Sequence, residues 1–365
     1  MKVIISGGGT GGHIFPAIAI ANALKNRLGE KAEILFIGAE GRMEMEKVPG
    51  AGYKIIGLPI AGLQRKLDIK NFILPFKVMN SLWKAFRIVK SFKPNVVVGV
   101  GGYASGPVLF AASLQRIPTL IQEGNSFAGI TNKILGIRAN KICVAYEGMN
   151  QFFNEKKIAL TGNPVRKDLT KQSISKEEAL NFFQLQPNEK TILVIGGSLG
   201  ARTINESIAQ NISAFSSNKI QLIWQTGKTY FSKAKEVAIV NQYVKVFDFI
   251  NRMDMAYAAA DVVISRAGAL SISELCVLGK ATVLVPSPNV AEDHQTKNAM
   301  ALVNKNAAVL VKDLEAKEKL VATTISVLND ESKLTDLKKN ILQLAMPNAD
   351  ELICDEIVKL SIKIS

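Results

Sequence analysis

Thirteen short apolar runs, most of them β-branched, alternate along this chain with segments long enough to be helices. The first series reads KVIIS, EILFIG, YKIIGL, NVVVGV, PTLIQE, KICVA and IALTG. The second reads TILVIGG, QLIWQTG, VKVFDFI, DVVISRAG, ATVLVPSP and AAVLV. Strands separated by helix-length segments imply parallel, doubly wound sheets. There are too many strands for one sheet, and a break falls at LTGNPVRKDL, where Asn163-Pro164 is a turn signal. The next segment, SISKEEALNFFQL, starts a helix with a Ser-x-x-Glu capping box at Ser175 and Glu178. The expectation is an α/β protein of two Rossmann-like doubly wound parallel-sheet domains facing a cleft. Their bounds are expected at 1–162 and 163–340, with a helical segment, 341–365, packing back on the first domain. A length of 365 residues suits two such cores, and 48% hydrophobic against 21% charged residues marks a globular chain.

Each series opens on a glycine turn. KVIISGGGTGGHIFPA runs from strand through glycines into a helix, and ILVIGGSLGAR repeats that order. Glycine lets the backbone approach a ligand while helix N–H groups point at it. In the first turn Gly7, Gly9 and Gly12 satisfy G-x-G-x-x-G, and Glu40 follows the second strand, as a dinucleotide site requires. A P-loop is excluded, because the glycines end in His13 with no lysine. The third possibility is an acceptor held against His13. Two such turns favour a transfer between two substrates, since doubly wound sheets bind at the carboxyl ends of their strands. The second turn, Gly196–Arg202 with Ser198, suits a diphosphate. Further on, Arg266-Ala267-Gly268 forms a turn, and Ala269–Leu278 forms a helix carrying Glu274, with Gly279 in the C-cap role. A loop with His294, Gln295 and Asn298 follows the next strand. Glu274 is either a ribose-binding carboxylate or a surface acid favoured by the helix N-terminus.

The net charge of +14 is unevenly placed. Residues 1–160 carry 21 Lys and Arg against 9 Asp and Glu, whereas 161–365 carry 24 against 22. The densest stretch, 60–93, holds eight basic residues against Asp68 alone, interleaved with Leu67, Phe72, Ile73, Leu74, Phe76, Trp83 and Phe86. Such a mixture suits a helix lying on an anionic membrane surface, and equally a helix whose apolar residues face inward. No nucleic-acid-binding motif accompanies the charge, so nucleic acid is not an expected partner. No apolar run is long enough to span a bilayer, and the chain opens directly on a core strand. Cys143, Cys276 and Cys354 lack metal spacing and read as thiols of a reducing cytosol.

Taken in order, GGTGGHIFPA, GGYASGP (101–107), QEGNSFAG (122–129), GNPVR (162–166), GGSLGAR (196–202), FINRMDMAYAAADVVISRAGALSISE and DHQTKNA make the chain resemble the MurG family over essentially its whole length. The resemblance implies the GT-B glycosyltransferase architecture. It also implies an inverting transfer of N-acetylglucosamine from UDP-GlcNAc to the muramoyl C4 hydroxyl of lipid I, forming lipid II for peptidoglycan synthesis. By the same likeness His13 is the catalytic base, and Thr10, Gly11, Gly12, Tyr103, Asn125 and Asn132 lie at the acceptor and reaction centre. Arg166, Ser198, Ile250, Ala269, Leu270, Ser271, Glu274 and Gln295 match donor-binding positions. His13 and His294 are the two histidines, and a structural role for His13 is the alternative to catalysis. With no Asp-x-Asp motif, neither a metal nor another cofactor is expected. The implied location is peripheral, at the cytoplasmic face of the inner membrane, with residues 60–93 on the anionic surface. Two positions depart from the family pattern. Gly124 stands where glutamine is expected, and Asn251-Arg252 replace an acidic pair.

Overall fold

The computed structural model describes residues 1–60, 74–167, 169, 174–197, 199–239 and 241–362. The chain forms two compact units. The first comprises Met1–Arg166 and Met346–Ser365, and the second comprises Lys167–Ala345. Unit 1 runs β1 (Lys2–Ser6), α1 (Gly11–Leu28), β2 (Glu33–Ala39), α2 (Glu44–Gly50), β3 (Lys54–Leu58), α3 (Leu74–Phe92), β4 (Val96–Gly99), α4 (Ser105–Leu114), β5 (Thr119–Glu123), α5 (Ile130–Gly136), β6 (Lys141–Val144) and β7 (Ile158–Leu160). Unit 2 runs α6 (Lys176–Phe182), β8 (Thr191–Ile195), α7 (Arg202–Gln210), α8 (Ile212–Ser217), β9 (Gln221–Gln225), α9 (Phe231–Ala238), β10 (Val244–Phe247), α10 (Met253–Ala259), β11 (Val262–Ser265), α11 (Ala269–Val277), β12 (Ala281–Leu284), α12 (His294–Val303), β13 (Val309–Leu310), α13 (Ala316–Asn329) and α14 (Glu331–Leu342). The last helix, α15 (Ala349–Ile362), returns to unit 1.

Both sheets are parallel throughout, in the orders β3-β2-β1-β4-β5-β6-β7 and β10-β9-β8-β11-β12-β13. Alternation along β1 shows how helices on two faces follow from strand geometry. Val3 and Ile5 pack with Ile14, Ile20 and Leu24 of α1, while Ile4 packs with Ala85 and Val89 of α3 and Val108 of α4. In unit 2, Ile192 and Val194 of β8 share a core with Ile204 and Ile208 of α7 and with Trp224. Helix α6 begins where its capping residue predicts, the Ser175 side chain accepting the Glu178 amide at 3.1 Å. The three cysteines are buried and free, and burial pushes Cys143 and Cys276 up to about 12.

The chain passes between the units after Arg166 and after Ala345, not at 162/163 and 340/341. The physical reason is local packing. Asn163 and Val165 are buried, and Gln122 Nε2 donates to Asn163 Oδ1 at 3.1 Å. A Cβ on Gly162 would stand 2.5 Å from Met346 Cβ, so the returning chain already lies against that loop. Helix α15 then buries Ile353, Cys354 and Ile357 in the α1 side of the core. Arg27 pairs with Asp355, and Lys141 with Glu356 at 3.5 Å.

Helix α3 buries Ser81, Ala85 and Val89, one turn apart, and exposes Met79, Trp83 and Phe86 among Lys77, Arg87 and Lys90. Trp83 is 60% exposed, and the Arg87 guanidinium lies 4.7 Å from its ring centre. Leu67, Phe72 and Ile73 lie outside the described residues.

Candidate active site

Ligands of doubly wound sheets bind beyond the carboxyl ends of the strands, where the strand order reverses. That reversal falls between β1 and β4 in unit 1, and between β8 and β11 in unit 2. Both glycine turns stand at these points.

The first turn is tied down by other parts of unit 1. Gly8 donates its amide to Gly101 O at 3.3 Å. Gly102, with φ +84°, has no room for a side chain, since a Cβ would stand 2.3 Å from Gly8 O. The Gly9 amide is taken by Glu44 Oε2 at 3.0 Å, and Glu44 Oε1 accepts the Ala39 amide at 2.9 Å. Glu44 is 1% exposed. What the turn offers outward is therefore the amides of Thr10, Gly11 and Gly12, at the positive end of α1, which a helix leaves without internal acceptors. His13 follows on the first turn of that helix. Its Nδ1 lies 3.1 Å from Gly8 O and 3.3 Å from Thr10 Oγ1. A carbonyl only accepts, so Nδ1 carries a proton, and in the neutral ring Nε2 carries the lone pair. The ring lies against Gly101, where a Cβ would come within 2.9 Å of Nε2. Tyr103, 54% exposed, is on the same loop, which Ser105 Oγ ties to Gly102 O at 2.8 Å.

Asn125 and Asn132 are brought together by a residue that motif reading passed over. Glu123, at the carboxyl end of β5, is 3% exposed. Its Oε1 accepts the Asn125 amide at 3.0 Å and Asn125 Nδ2 at 3.1 Å. Its Oε2 accepts the Gly129 amide at 3.1 Å and Asn132 Nδ2 at 2.8 Å. One carboxylate thus folds the whole QEGNSFAG loop around itself. Among the described residues Asn132 Oδ1 is a buried acceptor with no hydrogen-bond partner. The departure at Gly124 has a local consequence, because a Cβ there would meet Asn163 Oδ1 at 3.2 Å. A carboxylate closing a buried apolar strand is a signal that could have revealed Glu123. Glu44 had none, since its partner Gly9 is 35 residues away.

Glu40, the residue a dinucleotide site would need, is committed elsewhere, accepting Lys84 of α3 at 3.0 Å.

In unit 2 the second turn leads into α7. Gly197 and Gly200 have φ +83° and +79°, and Gly227 packs against the turn, where a Cβ would lie 2.4 Å from Leu199 O. Ser198 lies outside the described residues. Arg202 is bonded back along α7 to Glu206 at 2.7 Å, and Lys317 and then Arg202 hold the Glu206 carboxyl down at about 2. Ala269, Leu270 and Ser271 form the first turn of α11, whose N-cap, Gly268, supplies no side-chain bond, so its amides face outward. Glu274 is half-buried on that helix and accepts the Tyr257 hydroxyl at 3.0 Å. Gln295 Oε1 accepts the Ser287 amide at 2.9 Å. Ile250 is buried, and its amide donates to Gln225 Oε1 at 2.9 Å. Of the Asn251-Arg252 pair, Arg252 stands at the N-cap of α10 and is forked onto Asp254. Arg166, expected among the donor ligands, is the last residue of the first segment of unit 1. Among the described residues no group of three His, Cys, Asp or Glu side chains is disposed to hold a metal ion. No helix among them is long and apolar enough to cross a membrane.

Residues 3–144 match the glycosyltransferase family 28 N-terminal domain, and 191–353 match its C-terminal domain. A protein of Parabacteroides distasonis, named UDP-N-acetylglucosamine–N-acetylmuramyl-(pentapeptide) pyrophosphoryl-undecaprenol N-acetylglucosamine transferase, is 57% identical over 98% of both chains. A protein of the same name from Flavobacterium psychrophilum is 56% identical over 98% of this chain and 97% of its own. The crystal structure of Acinetobacter baumannii MurG superposes with a TM-score of 0.79 at 30% identity, covering 98% of this chain and 99% of the other. With two parallel α/β units of GT-B type and relatives of this identity along its length, the chain belongs to the MurG family of glycosyltransferases.

Proposed function

We propose that this chain transfers N-acetylglucosamine from UDP-GlcNAc to the muramoyl C4 hydroxyl of lipid I, with inversion, releasing UDP and lipid II. Beyond family membership, one observation carries the chemistry: the Gly8 carbonyl fixes the tautomer of His13 and leaves Nε2 as a base. Nε2 takes the proton of the acceptor hydroxyl as that oxygen bonds to the anomeric carbon. The bond from that carbon to the diphosphate breaks, and the electron pair leaves with UDP. Negative charge then grows on the diphosphate, where the amides opening α11, the second glycine turn with Ser198, and Arg166 stabilise it. This assigns the leaving-group charge to main chain and arginine, so the reading calls for no metal. Glu274 accepts the ribose hydroxyls. Ile250, its amide already used, offers its carbonyl to the uracil, and Gln295 offers Nε2 to the sugar. On the acceptor side, Thr10, Gly11 and Gly12 receive the lipid-linked diphosphate. Tyr103, Asn125 and Asn132 line the muramoyl group, Asn132 Oδ1 accepting one of its donors.

The acceptor's polyprenyl chain stays in the bilayer, so unit 1 works at the cytoplasmic face of the inner membrane as a peripheral protein. Met79, Trp83 and Phe86 of α3, flanked by Lys77 and Arg87, form an apolar and basic surface suited to anionic lipid. Ile130, Ile134 and Ile137 on and beyond α5 are exposed too, beside Arg138.

The test is UDP release with UDP-GlcNAc and a lipid I analogue. Wild-type protein should release UDP only when both are present. His13→Ala should lower kcat by about 10²–10⁴-fold with donor KM unchanged. A loss below tenfold, or a parallel rise in donor KM, would remove His13 from the role of base.

A further inference from the structure

We propose that Asp313 is the positioning residue of the donor half-site, acting through Arg266 and Thr203. It stands on the 3-10 turn Asp313–Glu315 between β13 and α13, outside the sequence motifs that carry the family resemblance. Its Oδ2 accepts Thr203 Oγ1 at 2.9 Å, and its Oδ1 accepts Arg266 Nη1. The same Nη1 donates to the carbonyls of Val285 and Pro286, each at 3.1 Å. Both charged side chains are largely buried, at 14% and 15% exposure.

Each of these contacts ends on a different loop of the proposed UDP-sugar site. Thr203 is on the first turn of α7, directly after the second glycine turn. Arg266 precedes Gly268, the N-cap of α11, whose opening amides face the diphosphate. Pro286 adjoins Ser287, whose amide Gln295 holds. One carboxylate therefore sets the spacing of the diphosphate cradle, the α11 terminus and the sugar-binding loop. A buried ion pair adds little net stability over apolar packing of the same volume. What it adds here is directional bonding among three loops beyond the paired ends of β8, β11 and β12. A misplacement of about 1 Å in such a constellation can cost on the order of 10²-fold in rate.

This inference rests on unit 2 being the donor site, so its test separates the two claims. UDP binding to the full-length chain is measured by calorimetry, and KM for UDP-GlcNAc and for a lipid I analogue by UDP release. The variants are Asp313→Ala, Asp313→Asn and Thr203→Val. Wild-type protein that neither binds UDP nor turns over UDP-GlcNAc would overturn the donor site and this inference together. With wild-type binding intact, Asp313→Ala should raise the UDP Kd and the donor KM by roughly 10–100-fold, with the acceptor KM unchanged. Asp313→Asn, which keeps one oxygen acceptor, should recover part of that loss. Thr203→Val deletes a single hydroxyl and threatens folding least, and should raise donor KM about three- to tenfold. A purely structural role would lower the amount of active enzyme and the melting temperature while sparing donor KM. A UDP Kd within twofold of wild type in Thr203→Val and Asp313→Asn, or equal rises in both KM values, would overturn the assignment.

Discussion

Replacing Glu123 by alanine should unmake the acceptor loop. The carboxylate accepts four N–H groups, two from Asn125, one from Gly129 and one from Asn132. Asn132 is 5% exposed, so its amine would find no water in exchange, at about 1–3 kcal/mol. The half-exposed Asn125 and Gly129 partners rehydrate more easily and should cost about 0.5–1 kcal/mol each. The total is about 2.5–6 kcal/mol, which for a unit of this size lowers the melting temperature by roughly 5–20 °C. Glu123→Gln keeps one oxygen but turns an amine toward two donors, and should lose about half as much. Differential scanning calorimetry on the full chain, with UDP release as donor and acceptor are varied in turn, measures both arms. Acceptor KM should rise and kcat fall in both variants, with donor KM unchanged. A Glu123→Ala protein that melts within about 2 °C of wild type, or loses donor and acceptor affinity alike, would refute the view that this carboxylate organises the acceptor loop.

Three further outcomes are expected. Glu274→Ala should raise KM for UDP-GlcNAc by the loss of charged hydrogen bonds to ribose, about 1.5–3 kcal/mol, in a folded protein; an unchanged KM would discard the ribose assignment. Lys280 donates to Ala260 O at 3.0 Å, and burial, with repulsion from Lys338, pushes its ammonium down to about 8. The unfolded chain, near 10.4, then binds more protons between those values, so this lysine lowers stability below pH 8 and ceases to do so as pH rises. Lys280→Met should therefore melt higher than wild type at pH 7, by about 1–2 kcal/mol, with the gap closing toward pH 10; a gap independent of pH would contradict this. Finally, Lys77→Glu with Arg87→Glu should release the protein from vesicles of anionic phospholipid at low salt while UDP affinity stays the same, and wild-type protein that ignores such vesicles would reduce α3 to ordinary surface.

The strands were legible because each is a compact apolar run, and the central strands β1, β4, β5, β8, β11 and β12 are buried on both faces, so burial is written in their composition. The glycine turns were legible for a related reason, since positive φ at Gly9, Gly102, Gly197 and Gly200 restricts what can stand there. What escaped was long-range. Glu44 and Gly9, or Asp313 and Thr203, are joined by folding across 35 and 110 residues, and no local pattern records such pairs. Within the first turn, Gly8 and Gly9 give their amides to Gly101 and Glu44, a commitment that the glycine pattern does not record. For α3, the mixture of lysine and aromatic residues left inward and outward readings equal. Helical phase decided it, turning Ala85 and Val89 in and Trp83 out.

The return of α15 to α1 makes unit 2 an insertion within unit 1, and this has a temporal meaning on the ribosome. The face of α1 that Ile353, Cys354 and Ile357 cover is synthesised first and closed last. Between Arg166 and Met346 lie the 179 residues of unit 2, Lys167–Ala345, which at bacterial elongation speeds take roughly 10–40 s to emerge. For that interval the amino-terminal sheet waits with an uncovered apolar groove, the state most exposed to chaperones and to aggregation. Docking of α15, with Arg27 paired to Asp355 and Lys141 to Glu356, then closes that face.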